Sequence, residues 1–589
     1  MENSMEETGS RGGGANKLLR QWNRLRNCGD LRGVIRKLDY KRRERKAMKQ
    51  FGTDSFPDER RAAAERETVF PHMVKISILV PLWNNEREFQ TAMLDSVLNQ
   101  TYQNWELCLA DGSDEAHSYI GDICREYAGR AGGRIVYRHL DVNGGIAANT
   151  NACLELASGE YIGLLDQDDI LHPDVLFEYV KAINEQRADY LYCDETTFKG
   201  SNINHMLIVH FKPDYAPDNL RANNYICHFS VFKRTLLEGE AFFRPEYDGS
   251  QDHDMILRLT DRAEKVVHVP KVLYYWRNHA GSVASGIEAK PHAIDAARRA
   301  VAWNLEKHGL EHFEIESTRA FETIFRIRYE ILGTPKISVV IINAGTSEEL
   351  QRCRASVTEM SSYGNYEIIV GDEGLAAASY PGQMNLGAQR AEGDYLLFLD
   401  SRSEVITADW MEELLMYAQR EDVGAVGAKL YHPDETICHA GLVLGLGTGH
   451  TVGNIFAGQH RRSLGYMGRL CYAQDISAVS GACLMVKREC FTEAGGFDES
   501  FAHSLYDADF CLRLREEKGL LNIFTPFAEL YIRGAEYGAE ATDTNGKEQY
   551  AGEAARFRER WAEALAEGDP YYNLNFSLDR NDCSLKITQ

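Results

Sequence analysis

The chain of 589 residues carries one pattern twice. Lys75-Ile-Ser-Ile-Leu-Val80 returns as Lys336-Ile-Ser-Val-Val-Ile-Ile342, and Trp105-Glu-Leu-Cys-Leu109 returns as Tyr366-Glu-Ile-Ile-Val370. Gly159-Glu-Tyr-Ile-Gly-Leu-Leu-Asp166 returns as Gly393-Asp-Tyr-Leu-Leu-Phe-Leu-Asp400, and Asp111-Gly-Ser113 as Asp372-Glu-Gly374. A later helix recurs as well, Asp252-His-Asp254-Met-Ile-Leu-Arg258 against Asp507-Ala-Asp509-Phe-Cys-Leu-Arg513. Self-similarity over this length marks a duplicated structural unit. Two domains of roughly 250 residues are therefore expected, meeting near Gly333-Thr334-Pro335, where Gly and Pro interrupt regular structure.

Within each copy, short apolar runs alternate with helical stretches. In the first, runs at residues 75–80, 105–110, 134–138 and 161–165 are separated by a helix carrying Met93, Val97 and Leu98, by a second helix, and by a third over residues 146–156. This β-α-β-α-β-α-β order predicts a parallel, doubly wound α/β sheet. Its strands end in polar or glycine-rich loops on one edge, where such sheets bind ligands. The fourth run ends in Asp166-Gln-Asp168-Asp169. Asp166 and Asp168, two residues apart, share a face on an ideal strand. Oxygen ligands of this kind suit Mg²⁺ or Mn²⁺, the usual partners of a diphosphate. The alternative is an Asp-rich turn that only initiates the next element.

A formal net charge of −23 makes nucleic acid an unsuitable partner for the body of the protein. The 13 cysteines are scattered without a Cys-x-x-Cys pair, which argues against a zinc ribbon or a disulfide framework and for reduced thiols in a cytosol. The acidic, polar start shows no secretory signal, and no apolar run nears the ~18 residues that span a bilayer. A cytoplasmic protein is expected. Residues 1–15 read as disordered, and residues 15–51 as basic and helical, with Leu18, Trp22 and Leu25 on one face and Leu31, Ile35 and Leu38 likewise. Lys41-Arg-Arg-Glu-Arg-Lys46 adds a cationic cluster. Two readings stand open. Residues 16–50 make peripheral contact with an anionic membrane at the inner face of the plasma membrane, or they pack on the domain that follows with their basic side solvated.

Further stretches narrow the class: Ile78-Leu-Val-Pro81, Ser96-Val-Leu-Asn-Gln-Thr-Tyr102, Gly249-Ser-Gln-Asp252, Tyr274-Tyr-Trp-Arg-Asn-His279, Gly481-Ala-Cys-Leu484, Gly495-Gly-Phe-Asp498 and Asp569-Pro-Tyr-Tyr-Asn573. With these, the chain from residue 72 onward resembles bacterial family 2 glycosyltransferases with two tandem GT-A-type domains, of the class met in capsule, O-antigen and rhamnan assembly. The resemblance implies a helical extension (1–71), a catalytic GT-A domain of Rossmann-like, nucleotide-diphospho-sugar transferase fold (72–333) and a GT-A-like second domain (334–589). It implies an inverting, metal-dependent transfer of sugar from a nucleotide-diphospho-sugar to a growing cell-surface polysaccharide or lipid-linked glycan. Asp252 then acts as general base, and Asp168 binds Mn²⁺ or Mg²⁺, with His279 as a further ligand. Asp166 holds the ribose or the metal shell, Asp111 reads the nucleotide base beside Trp83, and Pro81 and Glu86 line the nucleotide-sugar site.

Plainer roles exist for several of these. An acid at position 252 also suits a helix N-terminus, His279 also suits a loop hydrogen bond, Trp83 also suits a core, and Gly144-Gly145 also suits a simple turn. Tyr225-Ile-Cys-His228 matches the family and brings His228 toward the sugar or acceptor site without a defined role.

The second copy departs from the family pattern. It reads Asp400-Ser-Arg402-Ser-Glu404 at the acidic strand end, and a guanidinium cannot ligate a cation. Its opening loop Asn343-Ala-Gly345-Thr has no aromatic, and Leu530-Tyr-Ile-Arg-Gly-Ala-Glu-Tyr537 replaces a His-His-Glu run. Asp507 survives as the counterpart of the base. A degenerate copy that binds acceptor glycan or supports the first domain is the favoured reading. A bifunctional transferase and a non-catalytic glycan-binding scaffold are the competitors.

Overall fold

In the first half, strands β1 (Ile76–Leu82), β2 (Trp105–Asp111), β3 (Ile135–His139) and β4 (Tyr161–Leu164) form the parallel part of a sheet. All of β2 is buried and β1 only slightly less so, the condition under which a parallel strand reads as an unbroken apolar run. Helices Arg87–Leu98, Tyr119–Arg130 and Ile146–Leu154 make the crossovers. The computed structural model describes residues 31–279, 291–370, 379–447, 449–534 and 544–586. Trp22 and its neighbours, the Asp372 repeat and the end of the Leu530 segment at Tyr537 lie outside the described residues.

Beyond β4 the expectation of a wholly parallel sheet is corrected. The chain adds β5 (Ile170–Leu171), β6 (Tyr190–Lys199), β7 (Met206–His210), β8 (Val231–Lys233) and β9 (Val266–Asn278). The sheet order is β3-β2-β1-β4-β8-β6-β9-β5, with β7 on β6. β8 runs antiparallel to both β4 and β6, so the sheet is mixed. Strands of two or three residues are too short to show a period in sequence.

The second half repeats this order from β2 onward. Its sheet runs Tyr366–Val370, Ile337–Ile342, Tyr395–Asp400, Cys483–Lys487, Val423–Tyr431, Leu521–Ile532, Ser403–Val405, matching β2-β1-β4-β8-β6-β9-β5. Side chains repeat as well. Ser77 Oγ donates to Glu106 Oε1 at 2.6 Å and accepts from Gly159 N at 2.7 Å, with Lys75 paired to Glu106. Ser338 Oγ donates to Glu367 Oε1 at 2.6 Å and accepts from Gly393 N at 2.9 Å, with Lys336 at 2.9 Å from Glu367. A Cβ on either glycine would lie 2.7 Å or less from backbone or from this serine, so only glycine fits.

The halves meet over buried polar contacts. Arg420 forks onto Asp218 at 2.5 and 3.0 Å, and Asp475 accepts from Asp218 N at 2.9 Å. The hairpin Phe313–Ser317/Phe325–Tyr329 lies against helix Trp410–Ala418, where Tyr417 donates to Ile327 O at 3.1 Å. No helix of the described residues is long and apolar enough to cross a membrane. Helix Leu31–Met48 buries Ala47 and Met48 beside Val209, Phe211 and Phe576, so its described part packs on the body. Ile35 and Leu38 lie on its outward side, 58% and 63% exposed.

At this junction Asp194 accepts from His268 Nε2 at 2.9 Å and from Asn573 Nδ2 at 2.9 Å. Burial disfavours the charged imidazole, but Asp194 and Asp214 outweigh it and lift His268 from 6.5 to about 9. A raised folded-state value stabilises fully below pH 6.5, and this is lost as pH rises through about 9. The Tm gap between wild type and His268→Gln should therefore be widest near pH 6 and close above about pH 9 in calorimetry.

Candidate active site

β4 stops at Leu164, and the chain turns through Asp166, Gln167 and Asp168. The Gln167 carboxamide fastens this turn to the loop after β1. Its Oε1 accepts from Trp83 N at 2.8 Å, its Nε2 donates to Trp83 O at 3.1 Å, and its own carbonyl accepts from Asn85 Nδ2 at 2.7 Å. Trp83 is 53% exposed, which removes the core role and leaves its ring open for stacking. Pro81 pairs with Ala110 within the sheet, and Glu86 is exposed at the start of the next helix without capping it. Asp111, buried at the end of β2, accepts from Tyr137 at 2.7 Å and from Ser113 N at 2.9 Å.

Asp168 Oδ2 and His279 Nε2 lie 2.7 Å apart, so the two residues expected as metal ligands are neighbours. Asp169 is buried and accepts from Tyr274 at 2.6 Å and Arg277 N at 2.7 Å. Burial, then the charges of Asp168 and Asp166, push its pKa well up. Arg277, itself buried between the rings of Phe89 and Phe198, donates to Asp168 O at 2.6 Å and pins the turn. Asp166 is half-buried. Burial raises its pKa, the Asp168 and Asp252 carboxylates raise it further, and His228 opposes them.

His228 stacks on Tyr274 at 4.7 Å. Ligand atoms of Asp166, Asp169 and His228 all lie within 4.8 Å of one another. Two oxygens and an imidazole nitrogen, among carboxylates that destabilise one another's charge, fit a divalent cation such as Mn²⁺. Asp169 has both oxygens engaged, which leaves Asp166 and His228 as the freer donors. Neither Asp169 nor His228 carried a metal role in the sequence reading. Some sixty positions separate His228 from the acidic turn, and only the β4–β8 pairing, with Leu164 N on Ser230 O at 3.1 Å, joins them.

Asp252 begins helix Gln251–Thr260. Its Oδ2 accepts from Asn224 Nδ2 at 3.0 Å and from the Cys227 thiol at 3.6 Å. Its Oδ1 has no hydrogen bond among the described residues. Its neighbours point elsewhere: His253 bonds Leu220 O at 2.8 Å, and Asp254 is paired with Arg258 and Arg244. Gly144 N and Gly145 N are satisfied by Asn149 and Asn143, so that loop is an internally closed turn.

In the second half Tyr395 faces Lys487 as Tyr161 faces Lys233. This register puts Asp400 where Asp166 stands, Arg402 where Asp168 stands, Ser403 in place of Asp169 and Ala482 in place of His228. Arg402 closes on Asp400, with Nε to Oδ1 at 2.9 Å and Nη2 to Oδ2 at 2.6 Å. Asp507 accepts from Gly481 N and Ala508 N, both at 2.8 Å, and burial raises its pKa to about 6. Each oxygen of these two carboxylates accepts a hydrogen bond, whereas Asp252 Oδ1 has none among the described residues.

Residues 77–239 match the family model Glycosyl transferase family 2. This stretch of the first half is similar to family 2 glycosyltransferase domains. The chain is 35% identical over 548 residues to the uncharacterized protein y4gI of Sinorhizobium fredii, covering 86% of this chain and 58% of that protein. It is 30% identical over 537 residues to the O-antigen biosynthesis protein RfbC of Myxococcus xanthus, covering 87% of this chain and 41% of that protein. The chain thus spans roughly half the length of these relatives. Among solved structures, S. aureus TarS 1-349 in complex with UDP-GlcNAc matches with TM-score 0.33 and 20% identity over 39% of this chain and 66% of that chain. The mannosyltransferase PcManGT of Pyrobaculum calidifontis, in complex with GDP-Man and Mn²⁺, matches with TM-score 0.30 and 16% identity over 43% of this chain and 81% of that chain.

The two family-like turns should differ in metal binding. Asp166→Asn and His228→Ala are each expected to weaken Mn²⁺ binding by at least about tenfold, read as free Mn²⁺ by electron paramagnetic resonance. Asp400→Asn should leave the titration unchanged.

Proposed function

We propose that the chain is an inverting, divalent-cation-dependent glycosyltransferase whose catalysis lies in residues 72–333. The observation that carries this is Asp252: one oxygen is anchored, the other has no hydrogen bond among the described residues, and its charge is felt by Asp166. In a single displacement, an acceptor hydroxyl forms a bond to the anomeric carbon as the bond to the leaving diphosphate breaks, and the proton passes to Asp252 Oδ1. Asp168 and Asp166, with imidazole from His279 or His228, hold Mn²⁺ or Mg²⁺. The cation supplies positive charge to the departing diphosphate. Trp83 stacks on the base, with Pro81 and Glu86 alongside. Asp111 still has lone pairs to accept from that base, since a carboxylate offers about four sites.

The acceptor is a growing cell-surface polysaccharide or a lipid-linked glycan. The RfbC relative supports this, as does 28% identity over 247 residues (41% of this chain, 24% of the relative) to the hyaluronan synthase of Pasteurella multocida. Residues 334–589 act as a degenerate copy: the Arg402 fork on Asp400 and the closed environment of Asp507 weigh against a second active centre. The exposed face of helix Leu31–Met48 supports a peripheral, cytoplasmic contact with anionic membrane, because Ile35, Leu38, Arg42 and Arg45 line one side at helical spacing and are all exposed.

A panel of UDP-, GDP- and dTDP-sugars with Mn²⁺, scored by nucleoside diphosphate release, is expected to find a donor. Asp252→Asn should then lower turnover by roughly a hundredfold or more, while Asp507→Asn changes it little. Absence of turnover with every donor and acceptor glycan would leave the scaffold reading standing. In vesicle flotation, the chain should float with phosphatidylserine vesicles and not with neutral ones. Arg42→Glu with Arg45→Glu should abolish flotation.

A further inference from the structure

The loop over residues 224–228 supplies both anchors of Asp252, from Asn224 and Cys227, and the imidazole of His228. It has no regular structure of its own, lying between helix Pro217–Ala222 and β8. What holds it is Lys212. This ammonium is fully buried and donates to Ile226 O at 2.6 Å, His228 O at 2.6 Å and Glu195 Oε2 at 2.9 Å. Lysine has three donors, and all are used. Burial opposes ionisation of Glu195, but Lys212 and the His210 hydrogen bond outweigh it and hold that carboxyl near about 2. The pair is therefore charged, and a buried charged pair with every proton placed is rigid and costly to break.

The segment that carries Lys212 is gripped by the second half. Tyr466 accepts from Phe211 N at 2.9 Å and donates to Val209 O at 2.9 Å. Asn573 Nδ2 donates to Lys212 O at 2.9 Å and to Asp194 Oδ1 at 2.9 Å, and Asp194 Oδ1 also accepts from Lys212 N at 2.9 Å. Asp214 N donates to Pro570 O at 2.7 Å, and Phe576 packs its ring against both Phe211 and Tyr466. Val209 O, Phe211 N, Lys212 O and Asp214 N thus find their partners in the second half.

We infer that the second half is a positioning element for the active site of the first, acting through Tyr466 and Asn573 on residues 209–214, and through Lys212 on the loop that carries Asn224, Cys227 and His228. Tyr466, Asn573 and Lys212 are positioning residues and touch no reacting atom. The inference rests on the proposed function for its catalytic consequence only; the mechanical link stands on the hydrogen bonds themselves. It gives the copy in which Arg402 and Ser403 stand for Asp168 and Asp169 a role that its scaffold alone can serve.

The test uses the full chain with Tyr466→Phe and Asn573→Ala, and Arg420→Lys as a control that disturbs the interface elsewhere, at Asp218. Amide hydrogen exchange over residues 224–230 is expected to quicken by about tenfold in the first two variants and to stay unchanged in Arg420→Lys. Mn²⁺ affinity and kcat for donor turnover should fall together in the same two variants, by at least about fivefold, with donor KM within about twofold. Exchange that is unchanged in Tyr466→Phe and Asn573→Ala, or that rises equally in Arg420→Lys, overturns the inference. A wild type that turns over no donor, yet shows the expected exchange pattern, overturns the glycosyltransferase reading and leaves the mechanical link standing.

Discussion

A carboxylate taken out of water needs a positive partner, a proton or a dense set of donors. The two halves of this chain meet that demand differently at the same strand end. In the second, the fork of Arg402 neutralises Asp400 from within, and the turn is complete as it stands. In the first, Asp166 feels the charges of Asp168 and Asp252, and the group that opposes them at Asp166 is the imidazole of His228. Charge of one sign is thus concentrated at the edge of a sheet where ligands bind, and a divalent cation is what would balance it.

The opposite ends of the same strands did not diverge. Lys75, Ser77, Glu106 and Gly159 form a network that Lys336, Ser338, Glu367 and Gly393 repeat bond for bond. That network closes the start of the sheet, where a glycine without a side chain lets three strands approach, so a change there costs folding. The strand ends carry loops whose side chains face solvent or ligand, and these can change while the scaffold persists. Loss of chemistry with retention of architecture is what this asymmetry allows. Once Arg402, Ser403 and Ala482 have replaced their counterparts, the second half still offers a surface, and residues 209–214 of the first half lie on it.

Legibility in the sequence tracked the range of the interaction. β1, β2 and β4 were readable because each is an apolar run that is largely buried, and their loops because Asp, Gly and Asn punctuate them. β8 was not readable: three residues carry no period, yet this strand brings Ser230, and with it His228, beside the acidic turn. Asp252 was singled out from its local context, but its neighbours Asn224 and Cys227 were not, since nothing near them in sequence announces a carboxylate to be anchored. The basic helix was correctly read as a helix. The sequence left open which way its faces turn: Ile35 and Leu38 lie outward while Ala47 and Met48 turn to the body.

What the sequence by itself determined is the duplication, the class of sheet at its parallel core, and the replacement of an acid by Arg402, all of which are local patterns that recur in the same order. Tertiary structure alone decided which acids converge, that Trp83 is open, that His228 rather than a nearer residue faces Asp166, and that Lys212 ties one half to the other. Period and composition are set by neighbours along the chain, whereas these contacts arise only when segments remote in sequence are closed onto one another, and the cost and direction of that closure are written in the packing of the whole.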